Sequence, residues 1–157
     1  MSIEKVRSYF RQWPGTEERI LEFPVSSATV AEAAKAVGTE ERRIAKTLSF
    51  MLDEGPILVV AAGDAKIDNK KFKGTFHKKA SMLKVDELPE LVGHPVGGVC
   101  PFGIREGVKV YLDQSLRRFP TVFPACGSAN SAIELTIPEL ETYSRFAEWV
   151  DVCRIPE

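Results

Sequence analysis

Apolar and polar positions divide the chain into short elements. The strongly apolar segments 44–52 and 57–62 flank an Asp-Glu-Gly-Pro sequence at 53–56, which predicts a β-hairpin. Five further strands are predicted, at 19–23, 108–112, 121–125, 132–136 and 149–152. Because these strands do not alternate regularly with helices, the pattern favours a mixed α/β sheet, barrel-like or half-open, with flanking helices, over a doubly wound fold.

Capping residues mark where the helices begin. Thr29 with Glu32, and Thr136 with Glu139, have the spacing of capping boxes. Together with the positions of glycine and proline, they predict helices at 2–13, 30–37, 68–72, 85–92 and 137–143. No internal repeat, low-complexity stretch or linker interrupts the chain, so we expect a single domain spanning 1–157.

Composition narrows the class of protein. Apolar residues make up 44% and charged residues 27% of 157 residues, as in an ordinary globular protein. No apolar stretch approaches the roughly 18 residues of a membrane span, and the charged start does not resemble a signal peptide. Cys100, Cys126 and Cys153 are an odd number without C-x-x-C spacing. We therefore expect a reduced cytoplasmic protein with no membrane contact, no metal site and no cofactor.

Positive charge is concentrated in one segment, although the net charge of the chain is −1. Segment 66–84 contains seven lysines and one aspartate, which leaves a net charge of −7 for the remainder. Such a patch occurs on surfaces that bind a polyanion, but a lysine run alone is more often a solvated helix face. If the segment does bind a polyanion, phosphate contact is the more natural use, with six candidate residues: Lys66, Lys70, Lys71, Lys73, Lys78 and Lys79.

A loop rich in glycine and proline is the strongest candidate for chemistry. Segment 93–107 contains five of the eleven glycines and two of the ten prolines, so it is neither a helix nor a central strand. Glycine lets backbone N–H groups approach a ligand closely, as in an anion-binding nest or an oxyanion hole. A long structural turn with Phe102 in the core is the alternative.

Lys46 breaks the pattern of the first hairpin strand. In an extended conformation it shares a face with Ile44, Leu48, Phe50 and Leu52, and is the only charge there. Its ammonium group either reaches solvent at the open end of the strand or lies inside a pocket. In a pocket, a neighbouring anion would keep the amine charged and able to orient a phosphate or a carbonyl.

These residues carry a family resemblance. The segment Ile-Ala-Lys-Thr-Leu at 44–48 resembles the lysine strand of the YbaK and prolyl-tRNA-synthetase-associated editing domains. Gly97-x-x-x-Pro101 matches their G-x-x-x-P loop, and the strand ending in Asp113 resembles theirs. Gly127-Ser128 and the following Ile-Glu-Leu at 133–135 resemble their glycine turn and last strand. The motifs occur in the family's order over about 25–140.

The resemblance implies a compact α/β domain that deacylates aminoacyl-tRNA in trans, most often mischarged tRNA(Pro), sometimes beside an aminoacyl-tRNA synthetase. DNA is not an expected partner. It implies a catalytic set consisting of Lys46, Gly97, Gly98, Val99, Cys100 and Pro101. It implies a substrate-binding set consisting of His94, Phe102, Asp113, Gly127 and Ser128. The lysine-rich segment would then hold the acceptor stem.

Several residue roles stay open on the sequence. Cys100 is either a packing residue or a nucleophile with His94 or His77 as its base. Asp113 either orients Lys46 or a water, or caps the turn that follows it. For the whole chain, the alternative to a deacylase is a non-catalytic module that binds tRNA or a synthetase; a cysteine hydrolase acting on a small ester ranks third.

Overall fold

The computed structural model describes residues 2–156, which form a mixed α/β fold around one six-stranded sheet. Ten strands occur in these residues: β1 (Leu21–Glu22), β2 (Ile44–Leu52), β3 (Gly55–Ala62), β4 (Lys66–Ile67), β5 (Lys109–Asp113), β6 (Thr121–Pro124), β7 (Ser131–Ala132), β8 (Leu135–Thr136), β9 (Glu148–Val150) and β10 (Cys153–Arg154). The sheet has the order β8-β6-β2-β3-β5-β9, and two smaller pairs join β1 to β7 and β4 to β10. The sheet is curled into a half-barrel, which confirms the predicted fold class.

The predicted hairpin is present as β2 and β3, and it forms the middle of the sheet. The two strands are antiparallel from Leu52 opposite Gly55 to Ala45 opposite Ala62. Gly55 has φ +127°, a backbone conformation that side chains other than glycine rarely adopt, so it suits the turn. Lys46 lies opposite Ala61, at the end of the hairpin remote from the turn. Lys46 is therefore close to the start of β2, which begins at Ile44.

One predicted strand, 132–136, is wrong, because the chain forms two strands there. β7 pairs with β1, whereas β8 pairs with β6 on the edge of the main sheet. Between them, Ile133 is fully buried and donates its N–H to the carbonyl of Pro124 at 3.1 Å. The chain therefore bends at Ile133 and contributes strands to two different sheets. Such a bend depends on tertiary pairing, which a run of apolar residues in the sequence does not reveal.

Five α-helices flank the sheet in the described part of the chain: α1 (Ser2–Phe10), α2 (Val30–Val37), α3 (Asn69–Phe76), α4 (Leu88–Leu91) and α5 (Ile137–Ser144). Both capping boxes are confirmed, since Thr29 accepts from the N–H of Glu32 and Thr136 accepts from that of Glu139. Each box satisfies N–H groups that would otherwise lack a partner at the helix start.

Three helix boundaries differ from the predicted ones. α1 ends at Phe10, because the next residues form tighter bonds such as Trp13 N–H to the Phe10 carbonyl at 3.0 Å before the proline. α3 continues to Phe76, with Asp68 as its cap instead of its first residue. Segment 85–92 is a 3-10 turn at Val85–Glu87 followed by the single turn of α4.

An aromatic cluster packs α1 against the glycine-rich loop. Phe102 lies 4.8 Å from Phe10 between ring centroids, and Tyr143 of α5 lies 5.5 Å from Phe10. Phe10 and Phe102 are fully buried. Burying large aromatic side chains contributes strongly to stability, so this cluster anchors one side of the loop to the core.

A second, smaller cluster joins α2 to the sheet. Ala33 and Ala34 of the helix pack on Ile44 of β2 and Phe123 of β6. The middle of α2 is thereby held over the start of β2 and the end of β6. Across residues 2–156, none of the helices combines the length and the apolar character that crossing a membrane requires.

Candidate active site

A cavity of about 130 Å³ lies where the start of α2, the start of β2 and the glycine-rich loop meet. Apolar side chains of the second cluster, including Ala33, Ile44 and Phe123, form one wall. The other wall contains Lys46 from β2, with Gly97 and Val99 from the loop. The fold therefore brings the predicted lysine and part of the predicted loop to one cavity.

Lys46 is half-buried in this cavity wall. Its Nζ donates to the carbonyl of Gly63 at 3.4 Å and to the carbonyl of Ala65. Burial lowers the pKa of Lys46, although the nearby Cys153 and Asp64 oppose this effect. An ammonium has three N–H donors, so one remains for a ligand after the two carbonyls are served. Lys46 thus lines a pocket, and two backbone carbonyls outside the cavity lining hold its amine.

Two hydroxyl groups in the cavity wall were not expected from the sequence. Oγ of Ser27 and Oγ1 of Thr47 are buried, and neither has a hydrogen-bond partner among residues 2–156. Leaving a buried hydroxyl unpaired costs free energy, so such groups point to a partner supplied by a ligand or a water. A signal existed only for Thr47, a polar residue beside Lys46 in an apolar strand; nothing in the sequence distinguishes Ser27 from other serines of turns.

The loop approaches the cavity through its glycines. Gly97 has φ +85°, and a Cβ on it would come within 3.0 Å of the Cβ of Ala28. A Cβ on Gly98 would come within 2.6 Å of the backbone of Gly127, closer than Cβ atoms pack. Position 98 therefore needs glycine because the loop lies directly against the Gly127 backbone, and position 97 needs it because of its positive φ.

The N–H groups of the loop are not equally available. Gly98 donates its N–H to the carbonyl of Pro95 at 3.1 Å and so closes the turn. Its expected role as an oxyanion donor has to be corrected, because that donor is already used. No acceptor in the described chain pairs with the N–H of Gly97 or Val99. These two are the loop donors that remain open beside the cavity.

The chemically reactive side chains of the loop face the core instead of the cavity. His94 is fully buried, with Nε2 2.6 Å from the carbonyl oxygen of Phe102. A carbonyl can only accept, so Nε2 carries the proton, and Nδ1 is left without a partner within residues 2–156. Burial lowers the pKa of His94, which favours this neutral form. His94 thus joins the two ends of the loop, and Phe102 packs beneath it.

Cys100 is equally remote from the cavity. The thiol is fully buried, 3.5 Å from Nε2 of His94 and 3.6 Å from the Phe102 carbonyl. Burial raises the pKa of Cys100 to about 12, so the thiolate needed for nucleophilic attack is scarce near neutral pH. Pro101, also buried, follows it into the core. The other suggested base, His77, lies exposed at the end of α3. The geometry weighs against a cysteine hydrolase.

Asp113 is a structural residue in this geometry. Its carboxylate accepts from the N–H of Ser115 at 2.9 Å and from the N–H of Val152 at 2.9 Å. The first bond caps the turn at Gln114–Arg118, and the second ties the end of β5 to the C-terminal segment. Of the two roles left open by the sequence, the structure therefore shows Asp113 capping the turn that follows it.

The Gly127-Ser128 turn supports the cavity from behind. Gly127 has φ +92° and lies against the backbone of Ser2 and of the loop. The Ser128 hydroxyl bonds to Oδ1 of Asn130 at 2.9 Å and to Oγ of Ser131 at 2.7 Å. Since Ser131 lines the cavity, Ser128 acts here by positioning its neighbours.

The six candidate lysines fall into two groups. Lys71 pairs with Asp151 at 3.0 Å, and Lys78 pairs with Asp53 at 3.0 Å in the hairpin turn. The other four form no ion pair within residues 2–156: Lys66, Lys70, Lys73 and Lys79. Lys78 is also distant from the cavity, because Asp53 lies seven residues beyond Lys46 on the same hairpin, about 20 Å away at 3.3 Å per residue.

The described residues supply no cluster of three or more His, Cys, Asp or Glu side chains that could hold a metal ion. What the cavity offers is one cation, two open backbone donors and two unpaired hydroxyls. All of these groups suit a polar ligand with a carbonyl or a carboxylate, bound in surroundings that are otherwise apolar.

Comparison with known proteins agrees with this geometry. Residues 25–143 match the family model of the aminoacyl-tRNA editing domain. The YwhH protein of Bacillus subtilis, whose name gives no activity, is 56% identical over 98% of both chains. EbsC of Enterococcus faecalis, a candidate Cys-tRNA(Pro)/Cys-tRNA(Cys) deacylase, is 32% identical over 79% of this chain and 76% of its own.

The fold gives the same result. The crystal structure of a candidate trans-editing enzyme for prolyl-tRNA synthetase has a TM-score of 0.86 and 28% identity, covering 98% of this chain and 97% of that one. Proline–tRNA ligases are similar only in part; that of Streptococcus sanguinis is 28% identical over 65% of this chain, which spans 17% of the ligase. The matched family model, the motifs around Lys46 and Gly97, and the shared fold together show that this chain belongs to the aminoacyl-tRNA editing domain family.

Proposed function

We propose that this protein hydrolyses the ester between a mischarged amino acid and the 3′ end of a tRNA, acting in trans and on tRNA(Pro). The observation that carries the proposal is the cavity lined by Lys46 together with Gly97 and Val99, whose N–H groups have no acceptor in the described chain. The relation to EbsC and to the editing regions of proline–tRNA ligases supports tRNA(Pro) as the substrate and a prolyl-tRNA synthetase as a neighbour in the cell.

The proposed reaction needs no protein nucleophile, because an aminoacyl ester is already reactive toward water. Water attacks the carbonyl carbon and moves charge onto the carbonyl oxygen; the bond to the ribose oxygen then breaks, and that oxygen leaves as a hydroxyl with the proton that the water gives up. The N–H groups of Gly97 and Val99 would stabilise that charge, and one such donor is worth about 2.7–4 kcal/mol in a preorganised site. The ammonium of Lys46, fixed by two carbonyls, would hold the aminoacyl end in place with its remaining proton.

The cavity also favours a small amino acid. Its volume is about 130 Å³, and its lining combines apolar side chains with the hydroxyls of Ser27 and Thr47. These hydroxyls can bond the α-amino group or a small polar side chain of the substrate. Alanine, serine and cysteine are therefore the first amino acids to test.

A deacylation screen tests the proposal. Purified protein is incubated with Ala-, Ser- and Cys-tRNA(Pro), and with correctly charged Pro-tRNA(Pro) as the control. At least one mischarged substrate should lose its amino acid, while Pro-tRNA(Pro) stays intact and Lys46→Ala protein is inactive. Binding of tRNA(Pro) without hydrolysis of any mischarged form would overturn the proposal and indicate the non-catalytic module instead.

A further inference from the structure

One of the two short strand pairs outside the main sheet places two positive charges side by side. β4 and β10 are antiparallel, with Arg154 directly opposite Lys66 and Cys153 opposite Ile67. Directly opposed residues project to the same side of a ladder, with Cβ atoms about 4.5–5.5 Å apart. Cys153 is buried on the inner side, whereas Lys66 and Arg154 are both exposed. The two cations therefore share the outer face of the pair.

Two other cations near this strand pair form ion pairs, but Lys66 and Arg154 form none among the described residues. Lys71 pairs with Asp151, and Arg118 makes two bonds to Asp64 at 2.6 and 3.1 Å. Neither Lys66 nor Arg154 has an ion-pair partner within residues 2–156. Like charges directly opposite each other destabilise a strand pair. The Lys66–Arg154 arrangement therefore costs stability, and no acidic side chain of the described chain compensates for it. We take this as a sign that the two cations bind an external anion.

The pair lies next to Lys46. The carbonyl of Ala65, the residue before Lys66, accepts a hydrogen bond from Nζ of Lys46. Burial is the main cause that lowers the pKa of Lys46, and the positive charge of Lys66 contributes to the same lowering. Lys66 is thus near enough to affect the amine of Lys46 electrostatically, although it does not line the cavity.

We propose that Lys66 and Arg154 together bind a phosphodiester group in the single-stranded 3′ end of the RNA whose terminal ester enters the cavity. The inference rests on the proposed function and deepens it. The phosphates that precede an esterified terminal ribose are only a few bonds from the ester, so cations beside Lys46 lie where such a phosphate arrives. Arg154 can offer a two-pronged contact to phosphate oxygens, and Lys66 a point charge.

The test compares two double variants that remove the same charge. Lys66→Gln with Arg154→Gln removes the pair, whereas Arg11→Gln with Lys109→Gln removes two exposed cations that neither line the cavity nor belong to the lysine-rich segment. Binding of uncharged tRNA(Pro) is measured by fluorescence anisotropy between about 50 and 200 mM salt. Single-turnover deacylation is measured at saturating and subsaturating protein concentration.

The first variant should weaken tRNA binding about tenfold or more. It should also flatten the log–log salt dependence by about 0.7 for each single-strand phosphate that is no longer neutralised. Its rate at saturation should stay within about twofold of wild type, because Lys46 and the loop are intact. The control variant should bind within about twofold of wild type. Arg154→Lys, which retains the charge, should keep the salt slope.

Three results would overturn the inference: an unchanged slope in the first variant, an equal loss of affinity in both variants, or a fall in its melting temperature that accounts for the weaker binding. Melting should instead be unchanged or raised, since the substitutions remove repulsion. Because binding to uncharged tRNA does not depend on hydrolysis, failure of the deacylase proposal would show in the Pro-tRNA(Pro) and Ala-tRNA(Pro) screen, separately from failure of this pair.

Discussion

The two sides of the glycine-rich loop have opposite character. The side toward the cavity is formed by Gly97 and Val99, which offer backbone N–H groups and no reactive side chain. The side toward the core is formed by His94, Cys100 and Phe102, all fully buried. The residue types that suggest chemistry in the sequence thus serve packing, while those that suggest a plain turn face the candidate substrate site. The contrast indicates a loop that acts through its backbone and is held in shape by its side chains.

The core side should dominate stability, which Phe102→Ala will measure. Truncating a buried aromatic residue that packs on Phe10 should lower the free energy of unfolding by about 3–5 kcal/mol. Urea unfolding followed by circular dichroism gives this value. Tyr9→Phe, which keeps a ring in the same cluster, serves as a milder control. A decrease below about 1 kcal/mol would mean that Phe102 does not anchor the loop.

The cavity side should dominate catalysis, which Lys46→Ala will measure. We expect kcat/KM for deacylation to fall about 10²–10³-fold, the effect of removing one fixed donor from the reacting group. The melting temperature should change by no more than a few degrees, because the amine serves the ligand and two exchangeable carbonyl contacts. Lys46→Met, of similar length, controls for volume. Retained activity with lowered stability would make Lys46 a structural residue.

Removal of the two unpaired hydroxyls should alter the choice of substrate. Ser27→Ala and Thr47→Val each eliminate a buried group that has no partner in the described chain. We expect stability to hold or improve, since an unsatisfied group costs about 1–3 kcal/mol. Activity on seryl-tRNA should fall relative to alanyl-tRNA, as measured by the ratio of their kcat/KM values. An unchanged ratio for both variants would exclude these hydroxyls from substrate discrimination.

Cys100 should matter least to the reaction. Cys100→Ala and Cys100→Ser keep the backbone of the loop, so deacylation should stay within a few-fold of wild type. Because burial raises the pKa of the thiol to about 12, a thiol-alkylating reagent should label Cys100 only after unfolding. Mass spectrometry of the native and denatured protein checks the labelling. An inactive but folded Cys100→Ala protein would reverse the comparison and promote the cysteine hydrolase.

The smallest expected effect is on the pH dependence of deacylation, which tests whether Lys46 acts as an ammonium ion. Burial holds the pKa of Lys46 below its ordinary value of 10.5, and the proposed reaction uses the ammonium form. Activity should therefore be full below that lowered pKa and decline as the pH rises through it, after spontaneous ester hydrolysis is subtracted. Lys66→Gln removes a repelling charge and should move the decline to higher pH. A decline that is unaffected by Lys66→Gln would argue that another group titrates.

Local sequence rules predicted the parts of the fold that depend on neighbouring residues. The hairpin around Gly55 and the caps at Thr29 and Thr136 follow from residues within a few positions, and the structure has them. The bend at Ile133 could not be predicted, because it arises from pairing with strands more than ten residues away. The same holds for Arg154, whose place opposite Lys66 depends on a long-range strand pair.

The site was predictable only in part for a similar reason. Lys46 stands out because a strand has a period of two, so a charge on an apolar face is visible. A loop of glycine and proline has no such period, and nothing in it tells which residues face inward. The burial of His94 and the use of the Gly98 N–H by Pro95 therefore required the structure.

The close fit of Gly97 and Gly98 has a consequence for how this protein can diverge. With Ala28 on one side and Gly127 on the other, the loop has no room to accept a side chain. The opposite wall has no such restriction, since Val30 and Ala33 project from one helix into the same space. A lineage can therefore change the shape of the cavity by substitutions in the helix wall, while the glycine-rich loop stays the same.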